Sequence, residues 1–213
     1  PFISGKDSLY NESPLGSVTP TLLITAIGII HDVRKAVSVD LKEPNNLLYL
    51  VGKTSPELGG SEYYRVKGFV GRTVPKVKVN QARKTMSSIT KAIDSGLIKS
   101  CHDLSEGGLG VAAAEMAFTG GYGIELFLKK VPRSKDVMRN DHVLFSESNS
   151  RFLVEGSEKQ RDSFEALMKN VDYAVVGKTR RDSRFLVRGL DGKVIVDTGI
   201  DELRQAWRST LEG

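Results

Sequence analysis

The residue types best suited to chemistry gather in one stretch, Cys101-His102-Asp103-Leu104-Ser105-Glu106-Gly107-Gly108-Leu109. Asp103 and Ser105 offer a carboxylate and a hydroxyl at the mouth of a turn, where a metal ion or phosphate oxygen needs an oxygen ligand. Gly107 and Gly108 then present bare backbone at the positive end of a helix dipole, open to close approach by an anion. Ser105 stands where a side chain caps the first turn of that helix. A blander reading fits the same letters: a capped helix whose glycines serve only packing, a common arrangement.

A second candidate cluster opens the chain. Gly5 permits a sharp turn, Lys6 supplies a cation, and Asp7 and Ser8 supply oxygen ligands, a set that suits a phosphate–magnesium pair. It lacks the second glycine and following helix of a phosphate-binding P-loop. Other constellations are missing. The histidines at 31, 102 and 142 have no metal-ligand spacing, and one cysteine cannot build a zinc cluster. Cys101 and His102 are neighbours on a predicted strand, so their side chains leave opposite faces and do not form a nucleophile–base pair. Glu147 reads as a solvated turn carboxylate paired with Arg151, or as a group facing a ligand.

Composition bounds the remainder. With 213 residues, 39% of them hydrophobic and 27% charged, the chain has the make-up of a soluble globular protein that buries a core. No apolar run approaches the roughly 20 residues of a membrane span, and no secretory leader is visible. The lone Cys101 fits a reducing cytoplasm. A net charge of +5 suits anionic small molecules and falls short of a nucleic-acid groove. The opening at Pro1, without an initiator Met, reads as the interior of a larger polypeptide.

The elements that must position these groups follow from periodicity. Leu22 to Ile30 reads as a strand buried on both faces, and Leu47 to Val51 as a short one. The Gly-rich stretch Thr54 to Tyr63 reads as a surface connection. Val79 to Ile93 carries Val79, Ala82, Met86, Ile89 and Ile93 on one helical face and ends at Gly96. Leu109, Ala112, Ala113, Met116 and Ala117 mark the helix after the central turn, which Gly120-Gly121 stops. Gly123 to Leu128 is a strand, and Val143 to Val154 reads as two strands about a polar turn. Ser157 with Gln160 forms a capping-box pattern ahead of Phe164, Leu167 and Met168. Three further strands centre on Tyr173–Val176, Phe185–Val187 and Val194–Val196. A closing helix aligns Ile200, Leu203, Trp207 and Leu211, with Trp207 expected in the core. The mixture predicts an α+β fold: a mixed sheet with helices packed on it.

Five ordered segments carry a resemblance: Ser4 to Glu12, Thr19-Pro20-Thr21, Leu58-Gly59-Gly60-Ser61, His102 to Leu109 and Leu144-Phe145-Ser146-Glu147-Ser148. In order and spacing they resemble the C-terminal part of the phosphoribosylformylglycinamidine synthase family, within the aminoimidazole ribonucleotide synthetase superfamily. The likeness covers essentially the whole chain. It implies residues 1–35 as the tail of a second A domain and residues 36–213 as a second B domain with the superfamily's C-terminal-domain fold. It further implies ATP and Mg²⁺ as cofactors and the ATP-dependent conversion of formylglycinamide ribonucleotide to its amidine with glutamine-derived ammonia. Carried over residue by residue, Gly5 and Lys6 face nucleotide and Ser8 faces substrate. Lys6 replaces the family's magnesium-binding Asn, which leaves Asp7 as the ligand there or Lys6 on the phosphate itself. The His-Asp-x-Ser turn carries metal to Asp103 and an auxiliary nucleotide to Ser105, with Gly107 and Gly108 beside it. The implied partners are the rest of the synthetase subunit and a glutaminase subunit or domain, with homo-oligomer formation open and neither nucleic acid nor membrane involved. A purely structural half that binds an auxiliary nucleotide is the alternative. Selenophosphate synthetases of the same superfamily fit less well, because Tyr10-Asn11-Glu12 and Ser146-Glu147-Ser148 favour the amidine synthase.

Overall fold

The computed structural model describes residues 3–6, 12–18 and 21–209, and the chain divides into two compact units, 1–31 and 32–213. Asp7, Ser8 and Leu211 lie outside the described residues.

In the first unit, β1 (Glu12–Ser13) and β2 (Gly16–Ser17) pair antiparallel in a two-residue ladder. The expected strand at Leu22 to Ile30 is not formed: this run is exposed, with Leu22 85% and Ile29 86% accessible. Apolar, β-branched residues favour a strand only where a neighbour offers a ladder, and among the described residues none pairs with this run.

The second unit is a seven-stranded sheet between two helical layers. Its strands are β3 (Leu47–Val51), β4 (Ser100–Asp103), β5 (Gly123–Phe127), β6 (Phe152–Gly156), β7 (Tyr173–Arg180), β8 (Arg184–Arg188) and β9 (Val194–Gly199). They run in the order β4-β6-β3-β7-β5-β8-β9, every pair antiparallel except the parallel β5–β8. This is the mixed sheet of an α+β fold, as the sequence predicts.

Why the interior strand β3 is apolar throughout follows from its position between β6 and β7. Successive side chains of β3 leave opposite faces, so Leu48 and Leu50 join one core while Tyr49 and Val51 join the other. In β6, Leu153 and Val154 divide in the same way. The first face is covered by α3 (Gly108–Gly120), α4 (Asn140–Phe145) and α6 (Ile200–Ser209). The second is covered by α2 (Val79–Asp94) and α5 (Arg161–Leu167). A short α1 (Glu62–Val66) lies in the loop after β3. Helix α3 is apolar around its circumference because the sheet flanks it on one side and α4 and α6 on the other.

Several expectations shift in detail. The buried side of α2 is Ala82, Thr85, Ile89 and Ala92, whereas Val79 and Met86 face solvent. Val143 to Phe145 belongs to a helix: Val143 and Leu144 are its buried side, and so short an apolar run fits either period. Ser157 caps Lys159 rather than Gln160, leaving one 3₁₀ turn before α5. Trp207 is 49% exposed, with its ring centroid 5.9 Å from that of Phe118 on the surface of the first layer. The stretch after β3 is no surface connection, for Thr54, Leu58 and Ser61 are all buried.

Candidate nucleotide-binding turn

Strand β4 delivers Asp103 to the end of the sheet, and the chain then turns through Leu104 to Gly107 into α3. Leu104 anchors the turn in the first core, and its N–H donates to the Arg151 carbonyl at 2.9 Å. Asp103, Ser105 and Glu106 are exposed at its mouth, whereas Gly107 and Gly108 are buried.

The capping differs from the sequence reading. Gly107 is the N-cap and no side chain caps the helix; Ser105 contributes its carbonyl, which accepts from the Gly108 N–H at 3.0 Å. Both glycines adopt left-handed backbone, φ +74° and +60°. A Cβ on Gly108 would lie 2.3 Å from the Ser146 carbonyl oxygen, so this glycine lets the 144–146 backbone lie against the helix start. Packing alone accounts for Gly108.

An anion does meet the bare amide, and it belongs to the chain. The Glu147 carboxylate accepts from the Gly107 N–H at 2.9 Å and from the Glu62 N–H at 3.0 Å, the latter in the first turn of α1. It therefore satisfies a donor at two helix starts at once, where carboxylates are favoured. Glu147 is not paired with Arg151 as the sequence suggested. Arg151 is 1% exposed and donates to the carbonyls of Ser148 (2.8 Å) and Ser146 and to the Thr54 hydroxyl (3.0 Å). Burial pushes its guanidinium down to about 10, against the pull of Glu57 and Glu147. Ser146 and Ser148 tie the same loop to Ser55 and Glu57. Only the Leu144–Ser148 motif signalled this network, and a serine-rich segment alone does not disclose burial.

A second buried carboxylate went unnoticed in the sequence. Glu155 of β6 accepts from the backbone N–H groups of Lys42 and Glu43, from the Asn46 amide and from the Ser100 hydroxyl, at 2.7–3.1 Å. Four donors and no cation make it a structural clamp on the chain entering β3.

Cys101 packs against the second core. Burial, with Asp103 adding to it, pushes the Cys101 thiol up to about 12. His102 Nε2 lies 2.7 Å from a Glu115 oxygen, and its Nδ1 is 3.4 Å from Asp103. Gly5 and Lys6 are exposed residues of the first unit.

Whether magnesium fits can be judged from the donor set. Among the described residues no group of three His, Cys, Asp or Glu side chains converges on one point. Asp103 and Ser105 provide one carboxylate and one hydroxyl, a set that suits an ion brought in by a polyphosphate and retaining water, rather than a resident ion. No helix among the described residues is long and apolar enough to cross a membrane.

Comparison with known proteins adds to this geometry. Residues 43–188 match the family model for AIR synthase related protein, C-terminal domain. The chain is 36% identical over 212 residues to phosphoribosylformylglycinamidine synthase subunit PurL of Methanothrix thermoacetophila, covering 99% of this chain and 27% of that protein. It is 34% identical over 215 residues to the PurL subunit of Alkaliphilus metalliredigens, covering 28% of it. The chain thus spans little more than a quarter of these relatives. By structure it is similar to T. maritima PurL complexed with FGAR, with TM-score 0.71, 18% identity and coverage of 80% of this chain and 29% of that one. E. coli HypE, a hydrogenase maturation protein, aligns with TM-score 0.56 and 15% identity, covering 77% of this chain and 51% of that one.

Proposed function

Because the chain belongs to the AIR synthase related protein family through its C-terminal domain, we propose that it is the C-terminal part of a phosphoribosylformylglycinamidine synthase. The observation that carries this reading is identity of 34–36% over essentially the whole chain with subunits of that name. The fold by itself would not select it, since HypE has a related one.

The reaction joins formylglycinamide ribonucleotide, ATP and glutamine-derived ammonia. The amide oxygen attacks the terminal phosphorus of ATP and ADP leaves. Ammonia then adds to the resulting iminophosphate carbon and phosphate departs with that oxygen, giving the amidine. The protein's share in such a step is positioning and charge neutralisation. Residues 1–35 would belong to an A-type domain, with Gly5 and Lys6 on nucleotide, Asp7 on metal and Ser8 on substrate. Residues 36–213 form the B-type domain, whose Asp103 and Ser105 present oxygen atoms to an auxiliary magnesium nucleotide. Magnesium, when bound, supplies neutralisation of phosphate charge. The rest of the subunit and a glutaminase complete the enzyme, in a reducing cytoplasm.

A structural reading is favoured by one observation: the Gly107 amide is already taken by Glu147 and the Gly108 amide by Ser105. Here the turn serves mainly to hold the domain together. The test is turnover. The full-length subunit containing this chain should release ADP and form the amidine with ammonia, and the 213-residue chain alone should be inert. Loss of nucleotide affinity in the full-length Asp103→Asn, Ser105→Ala variant supports a nucleotide role for the turn, and unchanged affinity supports the structural reading.

A further inference from the structure

Away from the turn, the second unit holds a cleft of about 610 Å³ between the start of α2 and the segment after α5. Lys53, Lys78, Lys84 and Lys169 line it, and a smaller depression that also includes Lys53 and Lys78 adds Lys76. None of these residues belongs to the set Asp103, Ser105, Gly107 and Gly108.

The cleft is set apart by how many lysines it gathers in one place. Elsewhere a number of exposed cations are matched, among them Arg34 with Asp32, Lys42 with Asp40, Lys99 with Glu43 and Arg180 with Asp182. Those unmatched among the described residues, such as Lys129, Lys130 and Lys135, line none of these clefts. None of the five cleft lysines makes an ion pair with a described residue, though Asp136 acts on Lys53 at longer range. Two acidic side chains border them. Asp172 accepts from the Gln81 amide at 3.1 Å, and Glu57 is buried beside Arg151. Five like charges drawn from four separate segments repel one another, and an incoming anion removes that cost.

We propose that this cleft binds a small molecule bearing two or more linked phosphate groups. Lysine ammoniums are point charges suited to phosphate, where planar pairing with carboxylates calls for arginine. Asn80, Gln81 and Asn170 add amide groups at the cleft. No aromatic ring lines it, so bases have nothing to stack on, which disfavours single-stranded nucleic acid. Its size falls within the range of small-ligand sites.

The probe is inorganic tripolyphosphate, titrated calorimetrically into the 213-residue chain at low ionic strength. Lys53→Gln with Lys78→Gln should weaken binding about tenfold or more, with an unchanged thermal midpoint. Lys129→Gln with Lys130→Gln, the same charge loss elsewhere, should bind as the parent does. Omitting magnesium from the titration keeps the turn, whose nucleotide reading requires that ion, out of the readout and separates the two sites. Equal affinity of the Lys53/Lys78 variant overturns the proposal, as does an equal loss in the Lys129/Lys130 variant. A single-stranded oligonucleotide or glutamate-rich peptide binding more tightly than tripolyphosphate overturns it too.

Discussion

At the scale of single residues, two carboxylates organise the second unit: Glu147, inside a motif the sequence singled out, and Glu155, which no motif marked. Glu147 accepts from N–H groups at two helix starts, so Glu147→Ala strands the Gly107 and Glu62 amides. Leaving such buried donors without a partner costs about 1–3 kcal/mol, and Glu147→Gln, which retains an acceptor, should cost less. Urea unfolding of the three proteins measures the difference, and equal midpoints would refute the role assigned to Glu147. Cys101 gives a kinetic test. With its thiol pushed up to about 12, it should resist alkylation at pH 8 in the folded protein and react promptly once unfolded. Mass spectrometry of the labelled chain reads this directly. The sequence identified Asp103 and Ser105 as oxygen donors at the mouth of the turn, where both are indeed exposed. It mistook Ser105 for a side-chain cap, because the capping motif is local while the competing carboxylate comes from 40 residues downstream.

Among elements, the glycines of α3 separate strain from crowding. Gly121 sits in the left-handed C-cap with open space around its missing side chain, so Gly121→Ala should cost about 1 kcal/mol, the conformational penalty alone. Gly108 carries the same penalty together with the 2.3 Å contact to the Ser146 carbonyl. Gly108→Ala should therefore cost at least about 2 kcal/mol more, of the order of an overpacked core. Chemical denaturation of both variants settles the order, and equal costs would count against the close approach of the 144–146 backbone. Elements were legible in the sequence wherever a long period had one solution. Helices α2, α3 and α6 and the strands β3, β5, β7, β8 and β9 lie close to where periodicity puts them. Helix α4 was not legible, since Val143-Leu144-Phe145 is too short to reveal its period. The exposed run Leu22 to Ile30 was misread because strand propensity says nothing about whether a partner is present.

For the whole molecule, acid sensitivity follows from the ion pairs. Asp141, Asp182 and Asp197 are held below the usual carboxylate range by hydrogen bonds from Arg139, Arg180 and Arg184. Groups depressed in the folded state contribute stability that is present above the unfolded value. That stability should be lost as pH falls below about 4, through the depressed folded values. Urea midpoints across pH 2–7 should be level in the upper part and decline at the acid end, less steeply in high salt. The two-unit division was not drawn by composition. The α+β class and the order of motifs were, because alternating burial on two sheet faces leaves its imprint in the letters of β3 and β6. The central claim is that the exposed oxygens of Asp103 and Ser105 hold nucleotide in an amidine synthase. The most direct test is magnesium-dependent ADP affinity, by calorimetry, of the full-length subunit containing this chain and of its Asp103→Asn, Ser105→Ala variant. We expect affinity to fall about tenfold or more at an unchanged thermal midpoint, whereas identical affinity in the two proteins would contradict the account.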